Sequence, residues 1–310
     1  MNDIILHHFD SSPFAEKIRL ALGLKGLAWR SVEIPMVMPK PALTALTGGY
    51  RKTPVMQIGA DIYCDTQCIA LALEHYYPQP TLFPAHSQGL ALALSQWSDA
   101  AFFQPGAGLS MGTNTELPED ILQDRREFFN FLDFSTLPQQ LPHLFSQFRA
   151  HLQLVETMLA DGREFLLGDH PGWADILAYF PLWMCRGNIA TADKLVQPLP
   201  AVLTWESRMI DIGHGNPSTI TADDALDIAR QAASTVSPEI VSDAWPQMIT
   251  GTPVTVTPQD YGAVPVAGEL VRLTHADIAI RREDAQAGEV VVHFPRLGYR
   301  VDLLKAARHD

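Results

Sequence analysis

The chain of 310 residues carries 35 acidic and 22 basic side chains, which gives a net charge of −13 at pH 7. An acidic surface repels a phosphate backbone, so nucleic acid is not expected as a partner. No apolar run approaches the roughly 20 residues of a membrane-spanning helix. A composition of 47% hydrophobic and 18% charged residues is typical of a folded globular protein, and a length of 310 residues predicts two or three domains.

The first residues and the cysteines indicate the compartment. The opening segment MNDIILHHFD has no basic stretch followed by a long apolar one, so no export signal is predicted. Three cysteines (Cys64, Cys68 and Cys185) are too few for a disulfide framework, and Cys64 and Cys68 lack partners at metal-ligand spacing. We therefore expect buried free thiols, no metal and a cytoplasmic protein.

Strand and helix patterns alternate in the first 80 residues. A buried strand is predicted at 4–9, a helix opening at Ser12-Pro13, and a second strand at 29–34. Two short strands then flank the turn Gly59-Ala60, and Asp65 begins another helix. This order predicts a mixed sheet of four strands.

The rest of the chain divides into a helical region and a β-rich tail. After a proline-rich linker at 78–86, helices are predicted at 90–110, 119–134, 141–159, 173–186, 201–212 and 222–233. Thr221 and Asp224 form a capping box for the last of them. From about residue 236, short β-branched segments predict a small sheet or barrel, in which the turn at 295–298 joins a last hairpin ending in Tyr299–Leu303. The predicted domains are 1–80, 87–235 and 236–310.

The start of the first helix is a candidate catalytic position. A helix N-terminus concentrates unpaired N–H groups and positive potential, which lower the pKa of a nearby thiol. The hydroxyl of Ser12, or of its neighbour Ser11, can donate a hydrogen bond to a bound thiolate. Ser12 can equally act only as an N-cap, and residue type alone leaves both roles open.

Two further motifs indicate what the thiol belongs to. Thr53-Pro54 precedes a strand, where a cis peptide bond would expose the Thr53 backbone to an extended peptide. Asp65 and Thr66 begin a helix whose N–H groups can hold a carboxylate while Asp65 pairs with an amine; alternatively, the two residues only cap that helix. A small peptide with a central thiol and an α-amino acid at one end matches all three motifs, and glutathione is such a peptide.

Four segments resemble the glutathione transferase superfamily, over about residues 4–235: SSPFAEKIRLALGLKGL, RKTPVMQIGADIYCDTQCIALALE, FLLGDHPGWADILAYFPLW and LPAVLTWESRM. The resemblance implies an α/β thioredoxin-like domain followed by an all-α helical-bundle domain; the β-rich tail is not typical of the family. It implies Ser12 as the catalytic residue, with Ser11 as the alternative, and glutathione contacts at Phe14, Lys52, Thr53, Pro54, Asp65 and Thr66. For Lys52, a solvated side chain is an equal alternative.

The start of the helix at 173–186 and the first strand depart from the family pattern. Gly172 stands three residues before Asp175, where the family usually has a Ser or Thr N-cap. His7 and His8 occupy the first strand, where some classes place a tyrosine, and strand alternation leads us to expect one of them in the core.

Two functions follow from the resemblance and stay open at the level of sequence. In the first, the protein is an enzyme that activates the thiol of glutathione, its co-substrate, for attack on a small hydrophobic electrophile. In the second, it is a non-catalytic binding or interaction protein that uses the β-rich tail. Such proteins usually dimerise, so a homodimer is one expected state. Fold alone does not separate these functions.

Overall fold

The computed structural model describes residues 3–114, 116–241 and 246–304. It divides into two compact units, each described by itself below. The sheet unit comprises Met1–Phe9, Trp29–Ala72 and Pro217–Asp310, and the helical unit comprises Asp10–Ala28 and Leu73–Asn216. Among the described residues, no helix combines the length and the apolar character that crossing a bilayer requires.

The strands are β1 Ile5–His8, β2 Ala28–Glu33, β3 Val55–Ile58, β4 Asp61–Cys64, β5 Asn216–Thr219, β6 Glu239–Ile240, β7 Pro253–Pro258, β8 Val266–Leu273, β9 Asp277–Asp284, β10 Gly288–Pro295 and β11 Tyr299–Leu303. The helices are α1 Pro13–Leu24, α2 Pro41–Thr47, α3 Thr66–Tyr76, α4 Gln88–Gln96, α5 Phe103–Thr113, α6 Glu119–Phe128, α7 Leu137–Met158, α8 Trp173–Asn188, α9 Asp193–Val196, α10 Pro200–Asp211 and α11 Ala222–Gln231.

The predicted four-stranded mixed sheet is present and has a thioredoxin-like order. β1 pairs in parallel with β2 and antiparallel with β3, and the hairpin predicted at Gly59-Ala60 joins β3 to β4. The sheet continues on both sides, in the order β11-β7-β8-β9-β10-β4-β3-β1-β2-β5. The unpredicted strand β5 lies beyond β2.

The β-rich tail extends this sheet. β10 pairs in parallel with β4, with Val292 opposite Ile62, so the tail strands continue the thioredoxin-like strands. The predicted last hairpin is wrong in its pairing: β11 lies against β7, with Val301 opposite Val256. The reason is that β9 and β4 occupy the two edges of β10, which leaves no edge for β11. The domain boundaries at 80, 87 and 236 remain predictions.

One hydrophobic core serves the whole sheet unit. It combines side chains of the thioredoxin-like strands, such as Val55 and Ile62, with tail side chains such as Val292 and Phe294, all fully buried. Helix α11 adds Ala225 and Ala229. Burial of this shared apolar surface is the main force that stabilises such a unit, so the tail folds with the strands that it extends.

A buried polar cluster also joins β4 to the tail. Asp61 accepts hydrogen bonds from Ser234 Oγ at 2.5 Å and Thr235 N at 3.0 Å, and its Oδ1 lies 3.1 Å from His293 Nε2. Burial alone would raise the pKa of Asp61, but these bonds and the charge of His293 hold it below its usual range. The cluster satisfies a carboxylate that would otherwise be costly to bury.

Five of the six helices predicted after residue 86 lie in the helical unit with adjusted ends, whereas the sixth, α11, lies in the sheet unit. The segment predicted as one helix at 90–110 is interrupted by a π-helical turn, Trp97–Phe102, between α4 and α5. In α8, the Asp175 carboxylate accepts hydrogen bonds from the backbone N–H groups of Leu166 and Gly172 and from Nε1 of Trp205, at 2.8 to 3.0 Å. Burial raises the pKa of Asp175 to about 6 even so.

Gly172 has a steric reason to be glycine. A Cβ built on it would lie 2.7 Å from Pro84 Cδ and 3.0 Å from the carbonyl oxygen of Leu82, because Trp173 N donates to that same carbonyl at 2.7 Å. The close approach of this segment replaces the Ser or Thr cap that the family pattern leads one to expect. Gly172 therefore lacks a side-chain cap, but its lack of a Cβ allows the close contact with Leu82 and Pro84.

Candidate functional site

The predicted site residues fall into both units. Ser11, Ser12 and Phe14 belong to the helical unit, whereas Lys52, Thr53, Pro54, Asp65 and Thr66 belong to the sheet unit. Each group is described within its own unit.

Ser12 is the buried N-cap of α1. Its backbone is extended (φ −74°, ψ 117°), and its Oγ accepts a hydrogen bond from Ala15 N at 3.2 Å. Pro13 occupies the first helical position, where a missing N–H costs nothing. The bond to Ala15 uses Oγ as an acceptor, so the hydroxyl hydrogen of Ser12 takes no part in it. Ser11 is exposed, in contrast to Ser12.

An aromatic cluster lies next to Ser12 in the helical unit. The Phe14 ring centroid is 4.8 Å from that of Phe103 and 5.0 Å from that of Phe180. Phe103 in turn contacts Phe129 and Phe131, with both centroid distances 6.1 Å. This gives the N-terminus of α1 an apolar, polarisable surrounding of the kind that suits an aromatic ligand.

A buried lysine, Lys17, packs against the rings of this cluster. Lys17 Nζ lies within 5.0 Å of the Phe14 and Phe180 ring centroids and forms an ion pair of 2.8 Å with Asp99, a residue of the π-helical turn. Cation–π and ionic contacts together hold this cation in the core. Phe103 is buried.

The two predicted motifs of the sheet unit are brought together by strand register. Val55, the first residue of β3, pairs with Cys64, the last residue of β4, so Pro54 and Asp65 flank the same end of this hairpin. The Thr53-Pro54 peptide bond is cis, as predicted. Lys40 Nζ donates a hydrogen bond of 3.1 Å to Thr53 Oγ1. The cis bond and the strand register therefore place Thr53 and the start of α3 at the same end of the β3–β4 hairpin.

Asp65 is held in an uncommon backbone conformation at the start of α3. Its φ is 77°, in the left-handed region that non-glycine residues rarely adopt. Its Oδ1 accepts a hydrogen bond from Gln67 N at 2.9 Å, and its backbone carbonyl accepts one from Ile69 N. Buried Thr66 is the first residue of the helix. These contacts confirm the helix start but do not test its predicted ligand.

Sequence reasoning missed a second set of residues, which the tail supplies. The hydroxyl of Tyr299 donates to Asp65 Oδ2 at 3.1 Å and lies 3.1 Å from the hydroxyl of Tyr50. Lys52 forms an ion pair with Asp260 and lies 4.6 Å from the ring centroid of Tyr261. Partners more than 200 positions away carry no local signal, because only the tertiary fold brings them together.

The three cysteines and the two histidines of β1 lie in buried positions. Cys64, Cys68 and Cys185 are free and buried, and burial raises the pKa of each thiol. His7 and His8 are both buried, where one was expected; His7 Nε2 contacts Gln57 and His8 Nε2 contacts Ser31, each at 2.9 Å. Within residues 3–114, 116–241 and 246–304, no three His, Cys, Asp or Glu side chains are grouped to hold a metal ion.

Comparison with known proteins agrees with this architecture. The glutathione S-transferase N-terminal domain family matches residues 6–81, and the glutathione S-transferase C-terminal domain family matches residues 138–208. The curated relative glutathione S-transferase U4 of Arabidopsis thaliana is 26% identical over 133 residues. That match covers 42% of this chain and 59% of the relative, so it spans less than two thirds of the relative's length.

Two solved structures of similar proteins show how far the similarity extends along the chain. Rice GST1 in complex with glutathione is 20% identical, has a TM-score of 0.53 and aligns over 70% of this chain and 92% of its own, which shows a shared fold. A GST-like protein from Pseudomonas syringae is 38% identical, with a TM-score of 0.80, over 98% of this chain and 100% of its own. Coverage of that extent includes the β-rich tail. The chain therefore belongs to the glutathione S-transferase family, in a form that carries additional C-terminal strands.

Proposed function

We propose that this protein binds glutathione and presents its thiolate to a small hydrophobic electrophile. The observation that carries the proposal is Ser12, a buried N-cap at the helix start where the family has its catalytic Ser or Cys. Phe14 belongs to the same helix start and to the aromatic cluster. Conjugation of an aromatic electrophile requires a hydrogen-bond donor that stabilises the thiolate and an apolar surface that holds the electrophile beside it.

Each part of glutathione has a proposed partner. The α-ammonium of the γ-glutamyl group pairs with Asp65, and its carboxylate takes the N–H groups at the start of α3, where Thr66 lies. The backbone of Thr53, before cis-Pro54, pairs with the cysteinyl main chain. Lys52 and Phe14 complete the contacts that the resemblance implies. No metal takes part in this proposal.

The proposed reaction is nucleophilic attack by sulfur. The thiol gives up its proton to solvent, and Ser12 stabilises the thiolate by donating its hydroxyl hydrogen. A sulfur lone pair then forms the C–S bond, and a leaving group such as halide departs with the electron pair of the bond that breaks. The chain's contribution is to lower the thiol pKa and to orient the two reactants.

A second candidate function has one specific observation in its favour. Lys52 and Asp65 already have partners from the tail, Asp260 and Tyr299. A protein that had lost glutathione binding could use these same contacts only to fix its tail, and would act as a binding or interaction protein. The two candidates differ in whether glutathione binds and turns over.

Turnover of glutathione with an aryl halide tests the proposal. Ser12→Gly removes the hydroxyl but costs only a few tenths of a kcal/mol as an N-cap. We expect it to lower the turnover rate about tenfold to hundredfold, the worth of a hydrogen bond to a charged group. Ser11→Gly tests the alternative donor; because Ser11 is exposed, we expect this variant to keep its rate, and a loss in Ser11→Gly alone would assign the donor to Ser11. Absence of turnover and of glutathione binding in the wild-type protein favours the non-catalytic candidate instead.

A further inference from the structure

Two buried tyrosines form a hydrogen-bonded chain that ends on Asp65. Tyr299 comes from β11 and Tyr50 from the segment before Thr53, and both are less than 5% exposed. Their hydroxyl oxygens are 3.1 Å apart, and the Tyr299 hydroxyl is 3.1 Å from Asp65 Oδ2. Phe294 packs against both rings, at centroid distances of 6.0 and 5.5 Å. The chain therefore sits in a packed environment that fixes its geometry.

The direction of the hydrogen bonds follows from the chemistry of the groups. Burial, and next to it the negative charge of Asp65, raise the pKa of both tyrosines well above the usual value, so both keep their protons. The single hydrogen of Tyr299 goes to the carboxylate, so the hydroxyl of Tyr50 must donate to Tyr299 Oη. The tail residue Tyr299 therefore donates a hydrogen bond to one oxygen of Asp65, and the hydrogen bond from Tyr50 orients the Tyr299 hydroxyl.

Both oxygens of the Asp65 carboxylate have a fixed donor. Oδ2 accepts from Tyr299 and Oδ1 accepts from Gln67 N at 2.9 Å. An ionised carboxylate has about four lone-pair positions, so two donors set its plane and leave room for a further cationic donor. A ligand ammonium would meet a carboxylate that needs no reorganisation, and such preorganisation favours binding.

A second contact of the tail reaches the same end of the hairpin. Lys52, two residues before Pro54, forms an ion pair with Asp260 and a cation–π contact with Tyr261. Tyr299 is paired with Pro258 in the sheet register, two residues before Asp260, so both contacts come from one edge of the tail. Two charged residues predicted to bind the ligand are therefore each held by a tail residue.

We propose that Tyr299 is a positioning residue for ligand binding: it orients Asp65 for the α-ammonium of glutathione, so that the C-terminal strands are part of the ligand site. This inference rests on the proposed function and deepens it. It makes a prediction that a purely structural role does not, namely that loss of the hydroxyl changes selectivity for the amine and does not weaken all ligands equally.

The experiment compares two ligands by calorimetry in the full-length protein: glutathione, and an analogue in which the α-amino group is replaced by hydrogen. In Tyr299→Phe, we expect the Kd for glutathione to rise about tenfold and the Kd for the analogue to stay within twofold. Tyr63→Phe, a buried tyrosine of β4 whose ring stacks on His293, is the matched control and keeps both Kd values.

A double-mutant cycle makes the test independent of small stability losses. Because Tyr299 acts through Asp65, Tyr299→Phe in an Asp65→Asn background should change the Kd for glutathione by less than twofold. Additive effects, or equal weakening of both ligands in Tyr299→Phe, would overturn the inference. If the wild-type protein binds no glutathione, the proposed function fails and this inference with it. If the wild-type protein binds glutathione and Tyr299→Phe binds it with the same Kd, only this inference fails and the proposed function stands.

Discussion

The two units differ in where their candidate residues find their partners. In the helical unit, Ser12 bonds to Ala15, three residues away, and the motif itself contains the contact. In the sheet unit, Asp65 and Lys52 bond to Tyr299 and Asp260, which are 234 and 208 positions away. A local motif therefore locates a candidate side chain in both units, but in the sheet unit it does not reveal which residue orients that side chain.

The units also differ in how closely they follow the family pattern. The helical unit has the family's buried Asp175 and its later Trp205, joined by a hydrogen bond of 3.0 Å. The sheet unit has the thioredoxin-like strands, but these strands share their core with strands of the tail, β6 to β11. Because the tail strands contribute side chains to this core, they affect the stability of the sheet unit as well as its surface.

Removal of the tail is expected to have the largest effect. A chain that ends at Val236 would expose one edge of β4 and the apolar side chains that face Val292 and Phe294. Since burial of a large aliphatic or aromatic side chain contributes about 2–3 kcal/mol, loss of several such side chains exceeds the stability of an ordinary domain. We expect an insoluble or unfolded product by circular dichroism.

A point variant on the tail surface is the control for this truncation. Leu297 is 57% exposed in the turn after β10, so Leu297→Ser should keep the wild-type melting temperature. A soluble truncated protein with a cooperative melt would show instead that the thioredoxin-like strands fold without the tail, and would remove the main difference between the units.

Restoring the family's N-cap in the helical unit should destabilise it. Gly172→Ser adds a Cβ 2.7 Å from Pro84 Cδ and 3.0 Å from the Leu82 carbonyl oxygen. Overpacking of this kind costs about 1–3 kcal/mol, more than a serine cap supplies. Urea denaturation measures the loss, with Gly187→Ser on the same helix, where a Cβ meets nothing within 4 Å, as the control. Higher stability in Gly172→Ser would contradict the steric account.

The sheet unit should lose stability in mild acid through His7. Burial lowers the pKa of His7 to about 4, against the smaller opposite effect of its bond to Gln57. Above pH 6.5 the imidazole is neutral in the folded and the unfolded chain, so it has no effect. As the pH falls from 6.5 towards 4, the unfolded chain binds a proton that the folded one excludes, which costs about 2 kcal/mol at pH 5.

The His7→Asn variant isolates this contribution. Its free energy of unfolding should fall less than that of the wild-type protein between pH 7 and pH 5. His151→Asn provides the comparison in the helical unit, because burial also lowers the pKa of His151, which is only half-buried. Identical pH profiles for the wild-type protein and His7→Asn would show that His7 does not titrate differently on unfolding.

Much of the fold could be predicted because its signals are local. The Thr221 and Asp224 capping box and the Gly59-Ala60 hairpin are confirmed, since each depends on a few neighbouring residues. The tail was predicted to form a small sheet or barrel of its own, but in β10 the segment Val290–Phe294 is a continuous buried run. Such a run is typical of a central strand covered on both faces, and it was the one available indication that the tail joins a larger sheet.

The candidate site could be predicted only in part, for the same reason. Ser12, cis-Pro54 and the Asp65 helix start follow from short motifs. Tyr299 and Asp260 could not be found, because their proximity to Asp65 and Lys52 depends on the pairing of β10 with β4 and of β11 with β7. Neither pairing is encoded in a motif; each results from edges that become available only when the sheet is assembled.

The central claim is that Ser12 stabilises the thiolate of bound glutathione, and ultraviolet titration of that thiolate tests it most directly. The thiolate absorbance of bound glutathione is followed against pH in the wild-type protein and in Ser12→Gly. We predict that the thiol pKa is lower in the wild-type protein by about one to two pH units, as one donated hydrogen bond to a charged group implies. Superimposable titration curves, or no thiolate signal from the wild-type protein, would contradict the account.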